Sequence, residues 1–218
     1  MGKKVIVVNG SPRKQGNTGI LLQKALEGAA AQGAETELIH LYDLDFKGCT
    51  SCFACKRKGG KSYGQCAMRD ELTPVLSRIA EADGLLLGSP IYFFGLTGVM
   101  RSFLERLLFQ HAVYELPPRS LFTKPIGVGM IYTMNIDQEQ VEARQFLEHL
   151  KPVEQALGAL VGAVQTLHAT DTYQFDDYSL YVVERFDPVQ KAQHRAEEFP
   201  RDCEAAFRLG AGLVTAES

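Results

Sequence analysis

Near the start of the chain, residues 4–18 read KVIVVNGSPRKQGNT. The apolar, β-branched first half is typical of a buried strand, and the glycine-containing polar half is followed by helix-favouring sequence. A loop of this kind directs backbone N–H groups and small hydroxyls to one point at the positive end of a helix dipole. The stretch therefore predicts a strand, an anion-binding loop and a helix, with a phosphate group as the expected ligand.

Strand and helix signals alternate along the rest of the chain, which is the pattern of an α/β fold with a parallel sheet. Strands are predicted over 4–9, 37–41, 84–88, 125–131 and 160–167. Helices are predicted over 18–32, 70–79, 96–108, 138–157 and 189–213, the last interrupted at Pro200. We expect a single doubly wound domain over residues 1–218, with helices on both faces of a five-stranded sheet and a cysteine-bearing insertion at about 42–70.

Composition limits the classes of function. The 218 residues are 45% hydrophobic and 22% charged, with a net charge of -3, so there is no broad electrostatic reason to bind nucleic acid or acidic membranes. No run approaches the length of a membrane-spanning helix, and the first strand begins too early to leave room for a signal peptide. We therefore expect a cytoplasmic protein with reduced cysteines that binds neither nucleic acid nor membrane.

Two familiar phosphate loops do not match the first loop. Five residues separate Gly10 from Gly16 and no lysine follows, so the triphosphate-binding P-loop is absent. Ser11-Pro12 also replaces the close-packed glycines of the dinucleotide-binding pattern. A hydroxyl-rich loop with nearby cations suits a terminal monophosphate, although a surface turn stiffened by Pro12 is the alternative. The predicted phosphate-binding residues are Ser11, Arg13, Asn17 and Thr18.

A second stretch, GSPIYFFG at residues 88–95, follows the third predicted strand. Its position is the sheet edge at which open α/β folds bind ligands, and its three consecutive aromatic residues suit a flat ring system. The alternative is that Phe93 and Phe94 cover the top of the core. The residues predicted to contact the ring are Pro90, Ile91, Tyr92, Phe93, Phe94 and Gly95.

Together with residues 97–106, TGVMRSFLER, these two loops resemble the NADPH-dependent FMN reductase family, and within it the iron–sulfur flavoprotein branch. The resemblance implies a flavodoxin-like fold with strand order 2-1-3-4-5. It also implies non-covalently bound FMN, with its phosphate on the first loop and its isoalloxazine ring on the loop after strand three. A third contact segment would be residues 132–135, which lack the glycines often found there.

Four cysteines form a second constellation. Cys49, Cys52 and Cys55 have C-x2-C-x2-C spacing, and Cys66 follows after ten residues. Three thiolates spaced in this way hold three corners of a [4Fe–4S] cluster in ferredoxin-type sequences. The resemblance favours such a cluster, although the gap before Cys66 is longer than usual. A zinc site and a loop without metal remain the alternatives. Cys203 is interpreted as a small core residue.

These features predict an FMN-dependent oxidoreductase that takes electrons from NAD(P)H and passes them to a small-molecule acceptor or a redox protein. A non-enzymatic flavodoxin-like electron carrier is the alternative, and a redox-sensing module is a weaker one. No side chain is assigned as a general acid or base. The wide apolar stripe of the helix over 96–108 further predicts a homodimer or tetramer.

Overall fold

The computed structural model describes residues 2–215 and contains one sheet of five long parallel strands. The strands are β1 (Lys4–Asn9), β2 (Glu35–His40), β3 (Gly84–Tyr92), β5 (Gly127–Thr133) and β6 (Val164–Ala169), and the two-residue β4 (Gly95–Leu96) pairs antiparallel with β3. The spatial order is β2-β1-β3-β5-β6. With the short β4 set aside, this is the order 2-1-3-4-5, so the predicted flavodoxin-like fold is confirmed.

Alternating side chains of β1 divide the core into two layers. Val5 and Val7 pack with α1 (Asn17–Ala31) and α7 (Phe199–Thr215) on one face of the sheet. Ile6 and Val8 pack on the other face, and all four side chains are almost fully buried. The helices of that second layer are α2 (Leu72–Ala80), α3 (Gly98–His111) and α5 (Lys151–Leu160). The strand is apolar throughout because helices cover both of its faces.

Two of the predicted helices are divided. The helix expected over 138–157 is replaced by α4 (Gln138–Ala143), a 3₁₀ turn (Phe146–His149) and α5, because Gln145 has left-handed φ of 49°. The interruption expected at Pro200 is confirmed, since α6 (Pro188–Glu197) ends before it. Pro200 lies in the first turn of α7, where a missing N–H costs little.

The third strand extends beyond its predicted end at Gly88. Ser89 and Pro90 continue to pair with β5, so the stretch expected to be a loop is the end of β3. The chain reverses only at Phe93 and Phe94, whose left-handed φ angles of 48° and 65° form the turn into β4. The predicted end of this strand at Gly88 is therefore wrong, and the turn falls at two bulky residues, which rarely adopt positive φ.

Helix α3 buries most of its apolar stripe within the chain. Met100, Phe103 and Leu107 are fully buried, whereas Val99 and Leu108 are half-buried. The stripe therefore provides less support for oligomerisation than its sequence indicated, and the oligomeric state stays a prediction. Across residues 2–215, the structure contains no helix with the length and apolarity needed to span a membrane.

Candidate functional site

An open cleft of about 790 Å³ lies at the carboxyl ends of β1, β3 and β5. This is the crevice in which doubly wound sheets bind ligands, because the chain leaves β1 and β3 toward opposite sides. The residues that line it from these strand ends include Ser11, Arg13, Asn17, Thr18, Pro90, Ile91, Tyr92, Thr133, Met134 and Asn135. The cleft thus unites the predicted phosphate loop with part of the aromatic stretch and with the segment after β5.

Local hydrogen bonds shape the predicted phosphate-binding loop (residues 10–18), called the phosphate loop below. The buried Asn9 side chain accepts a hydrogen bond from the Ser11 N–H at 2.8 Å, and Ser11 Oγ accepts one from the Arg13 N–H at 3.2 Å. The Gly10 N–H donates to the Gly88 carbonyl at 2.8 Å, and a Cβ at Gly10 would come within 3.2 Å of that oxygen. The small residues of the loop therefore allow β1 to end directly against β3.

The first turn of α1 presents its N–H groups at the same place. Gly16 is the N-cap and has no side-chain capping bond, so the helix start is open to an external acceptor. A Cβ at Gly19 would lie 1.8 Å from the Lys14 carbonyl, so only glycine allows the loop to fold this tightly against the helix. The Thr18 hydroxyl is buried and lies 2.7 Å from the Thr133 hydroxyl, which joins the loop to β5.

A segment after β6, which we call the strap (residues 172–181), closes one side of the cleft. Arg13 Nη1 donates to the Gln174 carbonyl at 2.6 Å, and Asn17 Nδ2 donates to the Tyr173 carbonyl at 2.7 Å. The rings of Phe175 and Tyr181 stack with centroids 3.9 Å apart and also line the cleft. Two residues predicted to bind phosphate therefore hold the strap over the loop.

A buried ammonium group pairs with Asp171, the residue directly before the strap. Lys191 of α6 is 3% exposed, forms an ion pair with Asp171 and donates to the carbonyl and side-chain oxygens of Asn135, both at 2.5 Å. Its ammonium also lies over the Phe186 ring, 4.8 Å from the centroid. A buried charge is tolerated only when it is paired and hydrogen-bonded, so Lys191 fixes these groups relative to one another.

Sequence reasoning missed the strap and two basic residues of α6, Lys191 and Arg195. Of these two, Arg195 lines the cleft. Arg195 Nη1 donates to Asn17 Oδ1 at 2.9 Å across 178 residues of sequence. The aromatic content of residues 173–181 was the one available signal. A basic residue on a polar helix such as α6 carries no signal of its own, because exposed helix faces commonly hold such residues.

The predicted ring-contact residues are divided by the turn after β3. Pro90, Ile91 and Tyr92 line the cleft, but Phe93, Phe94 and Gly95 are not among its lining residues in the described part of the chain. The Phe93 side chain is fully exposed. The Phe94 ring packs on Phe146 instead, with centroids 4.7 Å apart. The turn geometry directs these two rings away from the sheet edge.

All four predicted metal-ligating cysteines line a second, smaller cavity beside α3. The cavity is bounded by Cys49, Cys52, Cys55 and Cys66 together with side chains that include Arg106 and Gln110. Ser51 and Phe53 have left-handed φ angles of 53° and 56°, so the chain turns sharply within the C-x2-C-x2-C segment. Despite the ten-residue gap, the fold brings Cys66 to the other three.

A buried arginine holds Cys66 in this position. Arg106 is 1% exposed and donates from Nε to Cys66 Sγ at 3.0 Å, and from both Nη atoms to the Asp70 carboxylate at 2.8 and 3.1 Å. Hydrogen bonding from Arg106 lowers the pKa of Asp70 below its ordinary value. The Gln110 side chain accepts the Cys66 N–H at 2.8 Å. Asp70, at the start of the helix predicted over 70–79, is therefore part of the support for the cysteine loop.

The chemistry of this donor set suits an iron–sulfur cluster or zinc, both of which thiolates bind. Burial raises the pKa of the Cys55 thiol, while the nearby Lys56 ammonium opposes that rise. No three His, Cys, Asp or Glu side chains within residues 2–215 converge closely enough to hold a single metal ion. The thiols thus surround one cavity without forming a compact single-ion site.

Comparison with known proteins gives a family match, curated relatives and solved structures of similar fold. Residues 3–167 match the model for NADPH-dependent FMN reductase. An iron–sulfur flavoprotein of Methanocaldococcus jannaschii is 40% identical over 103 residues, covering 47% of this chain and 51% of that protein. One from Archaeoglobus fulgidus is 37% identical over 103 residues, covering 47% and 48%. The chain spans about half the length of the curated relatives it matches.

Solved structures share the fold over nearly the whole chain. An NAD(P)H:quinone oxidoreductase from Methanothermobacter marburgensis superposes with a TM-score of 0.72 at 16% identity, covering 98% of this chain and all of that one. An FMN-dependent NADH-azoreductase from Bacillus anthracis in complex with FMN gives 0.62 at 15% identity, covering 95% of this chain and 100% of that one. At these identities the likeness shows the fold alone.

Proposed function

Because the chain belongs to the NADPH-dependent FMN reductase family, we propose that it is an oxidoreductase that binds FMN in the cleft and takes electrons from NAD(P)H. The observation that carries this proposal is the convergence of an open helix N-terminus, a loop with a guanidinium group and the ends of two central strands at one crevice. A monophosphate attached to a flat ring system suits this combination of groups.

In this proposal the phosphate binds at Ser11, Arg13, Asn17 and Thr18, where α1 begins. The isoalloxazine ring lies along Pro90–Tyr92, with the turn from Phe93 to Gly95 at its outer edge. When bound, FMN supplies the hydride and electron transfer, and the protein supplies position and electrostatics. The strap bounds one side of the cleft, because its backbone carbonyls accept hydrogen bonds from Arg13 and Asn17 and its aromatic residues line the cleft.

Reconstitution with FMN followed by steady-state kinetics tests the proposal. We expect flavin-containing protein to oxidise NADPH or NADH when a quinone is added as acceptor. If neither nicotinamide is oxidised but reduced ferredoxin reduces the bound flavin, the protein is instead a flavodoxin-like carrier. If the protein does not retain FMN at all, the proposed use of the cleft is wrong.

We also propose that Cys49, Cys52, Cys55 and Cys66 hold a [4Fe–4S] cluster that relays electrons between the flavin and a redox partner or small acceptor. The support is that four thiol groups surround one cavity and that two relatives are named iron–sulfur flavoproteins. Arg106 and Lys56 place positive charge beside the cysteines, which would offset the negative charge of a thiolate-bound cluster.

Anaerobic purification with iron, sulfide and zinc analysis tests the cluster. We expect iron and acid-labile sulfide in the native protein and their loss in Cys55→Ser, with flavin content unchanged. Cys203→Ser is the matched control, since Cys203 packs with the α1–α7 layer. Zinc without sulfide would favour the zinc site, and absence of both would favour a loop without metal.

We further propose that the protein is a homodimer or tetramer and works in a reducing cytoplasm. Large apolar side chains outside the cleft are exposed, including Phe93, Leu116 and Val182, and such groups commonly mark surfaces that contact a partner. Light scattering at micromolar concentration tests the assembly. A monomer under these conditions would contradict it.

A further inference from the structure

We propose that Arg195 is a second phosphate-binding cation of the cleft and that it makes the site select FMN over riboflavin. This inference rests on the proposed FMN site. Arg195 lies beyond residues 3–167, the part that matches the family model, so the family match does not assign it a role. The fold nevertheless brings its guanidinium to the first turn of α1.

Two contacts hold this guanidinium in place. Its Nη1 donates to Asn17 Oδ1 at 2.9 Å, and its Cζ lies over the Phe199 ring, 3.7 Å from the ring centroid. A cation–π contact of this kind restricts the rotamers of the side chain before any ligand binds. Arg195 is therefore arranged in advance at the edge of the phosphate loop.

The charges around the cleft leave Arg195 available to an anion. Among the residues that line the cleft, two carry guanidinium groups, Arg13 and Arg195, and one carries a carboxylate, Asp176. Lys14 of the loop is already paired with Asp43 at 2.6 Å. Within residues 2–215, neither arginine forms an ion pair with a carboxylate. Two uncompensated cations beside an open helix N-terminus favour a phosphate group strongly.

The phosphate monoester has two possible sources, the 5′-phosphate of FMN and the 2′-phosphate of NADPH. The position of Arg195 favours FMN, because its partner Asn17 is the first residue of α1 and the open helix start lies there. Riboflavin has the same ring system as FMN but no phosphate. Comparing the two flavins therefore separates an effect on the phosphate from an effect on the ring or on folding.

The test is to titrate flavin-free protein with FMN and, separately, with riboflavin. Quenching of flavin fluorescence reports binding in each titration. We expect Arg195→Met to weaken FMN binding by about tenfold, the loss of one charge-assisted contact, and to change riboflavin binding by less than about twofold. Arg195→Lys keeps the charge without the fork and should give an intermediate FMN affinity. The matched control is Arg201→Met, an exposed arginine of α7 paired with Glu198.

The outcomes separate this inference from the proposed function. If native protein binds FMN no more tightly than riboflavin, the proposed phosphate site itself is wrong. If native protein binds FMN more tightly than riboflavin and Arg195→Met shows the same ratio of affinities, only the inference about Arg195 is overturned. If Arg195→Met and Arg195→Lys both weaken the binding of FMN and of riboflavin equally, Arg195 has a structural role and the inference is overturned. A lost preference for NADPH over NADH with unchanged FMN affinity would overturn it in favour of the nicotinamide phosphate.

Discussion

The cleft and the cysteine cavity are built in opposite ways. The cleft lies at the ends of parallel strands, and its shape follows from backbone N–H bonds at those strand ends, from Ser11 to the Asn9 side chain and from Gly10 to the Gly88 carbonyl. The cysteine cavity lies in a segment with no long strand, and side chains of α3, the buried Arg106 and Gln110 among them, tie that segment to the helix. Within the described residues, the two cavities share no lining side chain.

This difference indicates where each site is vulnerable. The cleft depends on backbone geometry, so substitutions that add atoms to its glycines should damage it most. The cysteine cavity depends on a charged network, because Arg106 joins Cys66, Asp70 and the Lys47 carbonyl. Substitutions that remove charge should damage that cavity most. The sites should therefore fail separately, and the following variants test this.

The largest effect is expected for Arg106→Met. It leaves the Asp70 carboxylate without its buried partner, and the free energy of unfolding should fall by about 3 kcal/mol. Chemical denaturation measures this loss of stability. At low temperature, where the variant stays folded, iron content should fall while FMN affinity is unchanged. Arg101→Met, an exposed change on the same helix, is the control.

A double variant, Arg106→Met with Asp70→Leu, should recover part of the lost stability, because it removes both charges instead of one. If Arg106→Met is as stable as the native chain, or if it loses FMN as readily as iron, the cysteine cavity is not organised by this arginine.

An intermediate effect is expected for Gly19→Ala. Its Cβ would lie 1.8 Å from the Lys14 carbonyl, so the loop must move away from the start of α1, at a cost of about 2 kcal/mol. FMN affinity should fall by about tenfold or more, while iron content is unchanged. Gly158→Ala is the matched control, because that helical glycine has open space around its Cβ position. Equal flavin binding in both variants would contradict the proposed loop geometry.

The effect that is smallest near pH 7 is a pH dependence of stability. Burial lowers the pKa of His111 to about 4 from 6.5, and within residues 2–215 its Nδ1 has no hydrogen-bond partner. Between these two pH values the unfolded chain binds a proton that the folded chain does not. The stabilising contribution is therefore complete above about pH 6.5 and declines as the pH falls toward 4.

Replacement of His111 by Phe should remove this dependence. Denaturation at several pH values measures the slope of unfolding free energy against pH between 4 and 6.5. In the variant this slope should decrease by an amount that corresponds to the uptake of up to about one proton on unfolding. An unchanged slope would show that His111 does not titrate in this way. His111 lies next to the cysteine cavity and not to the cleft, since Gln110 contacts both His111 and Cys66.

Sequence reasoning performed best where the deciding contacts are local. The bounds of β1 are those predicted, and the strand order is the one that the family resemblance implies. It performed worst at the Phe93–Phe94 turn and in the region of Gln145, because positive φ at bulky residues overrides local propensity. The four cysteines were recognised by spacing, but the side chains that hold them were not.

The sequence by itself determined the first strand, the position of the predicted phosphate loop and the spacing of the first three cysteines, because each depends on residues close in the chain. Only the tertiary structure decided what completes the two cavities. Arg195 reaches Asn17 across 178 residues, and Arg106 reaches Cys66 across 40. Such contacts leave no periodic pattern in the sequence, since they depend on how crossover segments pack after the sheet has formed.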